Sequence, residues 1–200
     1  MSRAMLTSVA CLVVLTASIG SASGGSTRPT PPGVDGRTCG ITGTSGDDVL
    51  VGTSAGESIC GLGGNDRIRG RGGNDAIFGG PGDDDLNGGG GNDYLVGGPG
   101  DDLLFGKAAH DIIKGGGGSD LGIGGVGNDY LYGGPDADEL MYGWTGRDYV
   151  SGGGGADRCL AVLDGDGEDT VLGGTGYDTY AADPGDTRRS VERRRVCVGE

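Results

Sequence analysis

Histidine, aromatic side chains and positive charge are all scarce in this 200-residue chain. It has one His, one Trp, two Phe and seven Tyr, with 15 Lys and Arg against 29 Asp and Glu. With His110 as the only histidine, the HExxH signature of a zinc-dependent hydrolase is excluded. A net charge of −14 argues against a nucleic-acid partner, whose phosphates would be repelled. No apolar period of helical spacing runs through the chain, so a conventional helical core is excluded too. Fifty glycines with 5% aromatics would ordinarily signal a disordered linker.

What is present contradicts that linker. From Gly61 the chain reads GLGGNDRIR, GRGGNDAIF, GGPGDDDLN, GGGGNDYLV and GGPGDDLLF, a nine-residue phrase ending at Phe105. Upstream stand GTSGDDVLV, from Gly43, and a worn copy, GTSAGESIC. Downstream follow GKAAHDIIK, GGGGSDLGI, GGVGNDYLY and GGPDADELM, ending at Met141. After one inserted residue, Tyr142, come GWTGRDYVS and GGGGADRCL. After three more, Ala161 to Leu163, come DGDGEDTVL and GGTGYDTYA, ending at Ala181. A fixed short period of this kind marks a solenoid.

The sixth position of successive repeats holds Asp48, Glu57, Asp66, Asp75, Asp84, Asp93, Asp102, Asp111, Asp120, Asp129, Asp138, Asp148, Asp157, Asp169 and Asp178. The eighth is almost always apolar, from Leu50, Ile59 and Ile68 through Leu140 and Cys159 to Tyr180, with a gap at Gly122. Each unit is therefore a glycine-rich turn followed by a three-residue strand. Strands that short are stable only when stacked on identical neighbours. Two units per coil predict an all-β parallel β-roll, about 35 Å long at about 4.8 Å per coil. Stacking would also set carboxylates about 5 Å apart in columns, where they repel one another. Calcium takes six to eight hard oxygen ligands, and aspartates with turn carbonyls supply that donor type. Several bound Ca2+ ions are therefore expected, with folding coupled to their binding.

These motifs resemble the RTX, or hemolysin-type, calcium-binding repeat GGxGxDxUx, over about residues 43 to 181. The resemblance implies a β-roll with calcium held between a turn and the turn two repeats later. One turn would give the carbonyls of its second and fourth residues and its aspartate; the other would give those of its first and third residues and its aspartate. Carried onto this chain, one such site uses Gly80, Gly82, Asp84, Gly97, Pro99 and Asp102. Some repeats depart from the pattern. Glu57 replaces aspartate beside Ala55 and Gly56, Ala109-His110 interrupts the eighth turn, and Asp136 takes a glycine place in the eleventh. The column Asp75, Asp93, Asp111, Asp129 is accordingly expected to be broken at Ala109-His110.

Residues 1–22 have the form of a signal peptide: Arg3, an apolar stretch from Ala4 to Ile19, then Gly20-Ser21-Ala22. The apolar run is too short to favour a transmembrane anchor, so a secreted, extracellular protein is expected. Residues 23–38, with Pro29, Pro31 and Pro32, read as a linker, residues 39–181 as the roll, and residues 182–200 as an Arg-rich cap or tail. Cys39, Cys60, Cys159 and Cys197 remain after the leader. Three pairings are open, of which Cys39–Cys60 and Cys159–Cys197 would staple the two ends.

No catalytic constellation emerges. Gly52-Thr53-Ser54-Ala55-Gly56 matches the G-x-S-x-G string but lacks the strand and helix of a nucleophile elbow. Asp164, Asp166 and Glu168 imitate an EF-hand loop, yet Thr175 stands where its glutamate belongs. The expected function is calcium binding without catalysis; the alternative is an adhesion or partner-binding module in which calcium is structural. Outward positions seven and nine supply a candidate surface for self-association or a cell-surface partner. They hold Tyr94, Val96, Ile112, Tyr130, Tyr132 and Tyr149 on one face, and Leu103, Phe105, Leu121 and Ile123 on the other.

Overall fold

The computed structural model describes residues 39–162, 168–182, 184–189 and 193–194. Within them the chain winds into two nine-stranded parallel sheets. Odd-numbered strands of the sequence make one sheet and even-numbered strands the other. Each strand pairs with the strand one coil away, as Leu95 does with Ile77 and Ile113. The architecture is the expected all-β parallel β-roll of two repeats per coil.

Many strands are longer than three residues. Nine of the eighteen described span six, such as Asp85–Gly90 and Leu103–Ala108, because the turn glycines keep the parallel register. Gly89 lies opposite Lys107 and Gly90 opposite Ala108. Strands of three persist at Val49–Val51, Ser58–Cys60, Ala76–Phe78, Leu160–Val162 and Thr187–Arg189.

Between the sheets lies a double file of side chains, one per repeat. Ile59, Ile77, Leu95, Ile113, Leu131 and Val150 face Ile68, Leu86, Leu104, Met141 and Leu160, all fully buried. Two expected core residues are corrected. Met141, not Leu140, pairs with Gly122, and Leu160, not Cys159, pairs with Met141. The extra residue sits before Met141 rather than at Tyr142: Asp138 keeps its column, while Glu139 donates to the Asp120 carbonyl (3.0 Å). One extra residue on one strand is a β-bulge. A second bulge stacks on it at Cys159, whose φ is +53°. The reason is volume. Gly122 has no side chain to fill its core place, and Met141 Sδ comes within 2.7 Å of where a Cβ on Gly122 would stand. A long, unbranched thioether fills such a gap well.

Both ends run past the repeats. Ile41–Thr42 pairs with the strand holding Cys60, and Cys39 is disulfide-bonded to Cys60 with Cα atoms 6.0 Å apart. Cys159 is disulfide-bonded as well; its expected partner, Cys197, lies outside the described residues, as do the segments expected to be a signal peptide and a linker. The Arg-rich segment supplies further strands. Thr187–Arg189 adds to one sheet with Arg188 over Val171, and Arg193–Arg194 adds to the other. Arg188 also lies over the Tyr180 ring, 5.9 Å from its centroid. Among the described residues no helix is long and apolar enough to cross a membrane.

The outward tyrosines are not equivalent. Tyr130 and Tyr132 are exposed, at 49% and 37%, and both rings pack beside Tyr149. Tyr94, expected on the same surface, is buried at 6%. Phe78 lies against its ring (5.9 Å) and the Lys114 ammonium over it (5.4 Å), so Tyr94 leaves the candidate surface.

Candidate metal centre

The sixth-position aspartates form two columns, one along each edge of the roll. The first runs Asp48, Asp66, Asp84, Asp102, Asp120, Asp138, Asp157, Asp178. The second runs from Glu57 through Asp75, Asp93, Asp111, Asp129, Asp148 and Asp169. In each step the carboxylate Oδ1 accepts from the backbone N–H of the preceding member, at 2.6 to 3.1 Å. The second column is therefore continuous through Asp111, contrary to expectation. Ala109 adopts the left-handed φ of +82° that its turn needs, so the turn persists without glycine.

The other oxygen is different. Oδ2 of Asp66, Asp75, Asp84, Asp93, Asp102, Asp111, Asp120, Asp129, Asp138, Asp157 and Asp178 is buried and receives no protein hydrogen bond. It presses on the first glycine of its own repeat. A Cβ on Gly79 would lie 2.1 Å from Asp84 Oδ2, and one on Gly97 2.1 Å from Asp102 Oδ2. That contact explains why the first position admits only glycine there.

Burial dominates the electrostatics. It raises Asp75, Asp93, Asp102 and Asp138 to about 7, Asp84, Asp120, Asp129 and Asp157 to about 6, and Asp111 to about 8, against the amide hydrogen bond at Oδ1, which lowers them. Neighbouring carboxylates add to the rise, Asp120 and Asp84 at Asp102, Asp129 and Asp93 at Asp111. A buried anion with a bare oxygen must take up a proton or a cation.

The turns bring the six residues of the expected site to one edge. Asp84 N–H donates to Asp102 Oδ1 (2.8 Å). In most turns the second and fourth positions take φ > 0, as at Gly80 (+116°) and Gly82 (+132°), so alternate peptide groups turn opposite ways. The Gly97 and Pro99 carbonyls accept from the N–H groups of Gly80 and Gly82, both at 2.9 Å. Each carbonyl keeps a second lone pair. Among the described residues no group of three or more His, Cys, Asp or Glu side chains converges, so carbonyls must complete any coordination shell. Hard oxygens, orphaned buried carboxylates and glycine turns fit a calcium ion.

Two features went unseen in the sequence. Asp186 extends the second column, with Asp169 N–H directed at its Oδ1 at 3.4 Å. The fifth position forms a second ladder running the opposite way. Asn65, Asp83 and Asp101 N–H groups donate to Asp47, Asn65 and Asp83, and on the other edge Asn128 N–H donates to His110 Nδ1 (2.7 Å). His110 thus replaces Asn/Asp as an acceptor.

These properties define a parallel β-roll whose stacked turns carry columns of buried carboxylates. The chain belongs to the RTX calcium-binding nonapeptide repeat family, which it matches over residues 41–55, 61–95, 87–122, 96–131, 114–144, 123–159 and 162–180. Among curated proteins none matches it.

Proposed function

We propose that the protein is a secreted calcium-binding module whose folding is coupled to the ion and which performs no catalysis. The orphaned Oδ2 atoms carry this reading. In each site two stacked aspartates, such as Asp84 and Asp102, hold the ion with the carbonyls of Gly80, Gly82, Gly97 and Pro99. Bound calcium supplies the positive charge that the column lacks. Oδ1 keeps each carboxylate fixed by its amide hydrogen bond, and the first-position glycine leaves room for Oδ2. Secretion is supported by the leader-like residues 1–22 and by the paired cysteines. Calorimetric titration tests the function. Several ions per chain are expected, in the range of about 10⁻⁴–10⁻³ M common to extracellular modules; fewer than two per chain contradicts it.

A second reading is favoured by the exposed Tyr130, Tyr132 and Leu103. In it calcium is structural and the roll displays a partner-binding face, since exposed apolar patches mark interaction sites. Tyr130→Ser with Tyr132→Ser should then abolish self-association or surface attachment while leaving calcium-induced folding intact. A wild-type chain that is monomeric and non-adherent in calcium contradicts it.

A further inference from the structure

The first coil holds its carboxylates unlike the coil that follows it. Its turns read Gly43-Thr44-Ser45-Gly46-Asp47-Asp48 and Gly52-Thr53-Ser54-Ala55-Gly56-Glu57. Thr44 donates twice to Asp48 Oδ2, from its N–H at 2.5 Å and its hydroxyl at 2.9 Å. Thr53 does the same for Glu57, its N–H reaching Oε2 at 3.2 Å and its hydroxyl Oε1. In the next coil the corresponding oxygens of Asp66 and Asp75 are bare.

The backbone differs as well. Leu62, Gly64, Arg71 and Gly73 of the second coil all have φ > 0, whereas Thr44, Gly46, Thr53 and Ala55 do not. The alternation that turns carbonyls toward the next coil is therefore absent. The eleventh repeat also loses it, at Gly134 and Asp136, yet Asp138 Oδ2 there remains bare. Among the turns whose six residues are all described, only those of the first coil combine the two differences.

We propose that the first coil is a calcium-free cap, in which Thr44 and Thr53 exclude the ion by occupying the carboxylates that would bind it. The proposal rests on reading the later turns as calcium sites. The cap closes without metal and is tied by Cys39–Cys60 to the first strand. It offers the N–H groups of Asp48 and Glu57 to Asp66 and Asp75 Oδ1, each at 2.8 Å. The first metal-bound coil thus meets a preset register.

Counting bound calcium by native mass spectrometry of the full, oxidised chain tests this. Asp48→Asn is expected to bind as many ions as wild type, and Asp102→Asn fewer. Thr44→Gly, which restores the repeat's glycine, removes the hydroxyl donor from Asp48 Oδ2 and admits the φ > 0 that the later turns use to redirect this peptide, is expected to bind at least one more. Loss of an ion in Asp48→Asn, or an unchanged count in Thr44→Gly, overturns the proposal while the calcium reading stands. A wild-type chain that binds none overturns both. Circular dichroism in saturating calcium accompanies each variant. If Asp48→Asn and Asp48→Ser both fail to reach the wild-type β signal, Asp48 belongs to the calcium machinery and the cap is refuted.

Discussion

Nine column aspartates, Asp66 through Asp138, have two separate duties. Oδ1 ties one coil to the next, and Oδ2 faces inward without a protein donor. The aspartate, the first glycine and the apolar eighth residue were legible in the sequence, because a repeat exposes whatever position cannot vary. The fifth-position ladder was not, since exposed Asn and Asp in a turn ordinarily serve their own backbone. Nor was the tolerance at Ala109, where a non-glycine residue holds φ +82°. A left-handed residue costs about 1–2 kcal/mol, partly offset by the lower chain entropy of unfolded alanine relative to glycine. Ala109→Gly is expected to stabilise the roll by up to about 1 kcal/mol in urea unfolding with saturating calcium; a loss of stability contradicts this. Met141→Ala should cost about 2–5 kcal/mol, toward the upper end because Gly122 offers no side chain to collapse into the space. A cost under about 1 kcal/mol in the same assay would show that Met141 does not fill that gap.

At the level of strands, the parallel pairing followed from the period, but the register near the insertions did not. Aligning repeats on Asp138 and Asp148 leaves the extra residue free to fall on either side of the strand. Only the empty place at Gly122 decides between Leu140 and Met141, and that place is a three-dimensional fact. The last strands were hidden for a chemical reason. Gly185-Asp186-Thr187 continues the phrase, but Arg188 stands in its apolar slot. At the other end the disulfide was legible from cysteine placement, and its Cα separation of 6.0 Å accommodates the bond. Replacing Cys39 and Cys60 by serine should lower stability by about 2–4 kcal/mol, read as an earlier urea midpoint at fixed calcium. An unchanged midpoint would mean that the end coil frays before the rest unfolds.

Taken whole, the roll is a stack of buried carboxylates whose charge must be answered. Unfolded aspartates titrate near 3.9, whereas burial holds those of the metal-free roll at about 6 to 8. Between those values the folded state binds more protons than the unfolded one. Stability without metal is therefore fully present below about pH 4 and is lost as pH rises through 6 to 8. In chelator, β signal should fall as pH is raised from 4 to 8; a rise would contradict the assignment. Protons and calcium compete for the same oxygens, so the calcium concentration at half-binding should increase as pH drops from 7.5 to 5.5.

On the proposed reading calcium neutralises the columns and thereby folds the roll, since a ligand of the folded state alone stabilises it by mass action. Far-ultraviolet circular dichroism of the full chain at pH 7.5, in excess chelator and then in excess calcium, tests it most directly. A disordered spectrum that converts reversibly to β structure on adding calcium is predicted. A strong β spectrum in chelator that calcium leaves unchanged would contradict the account.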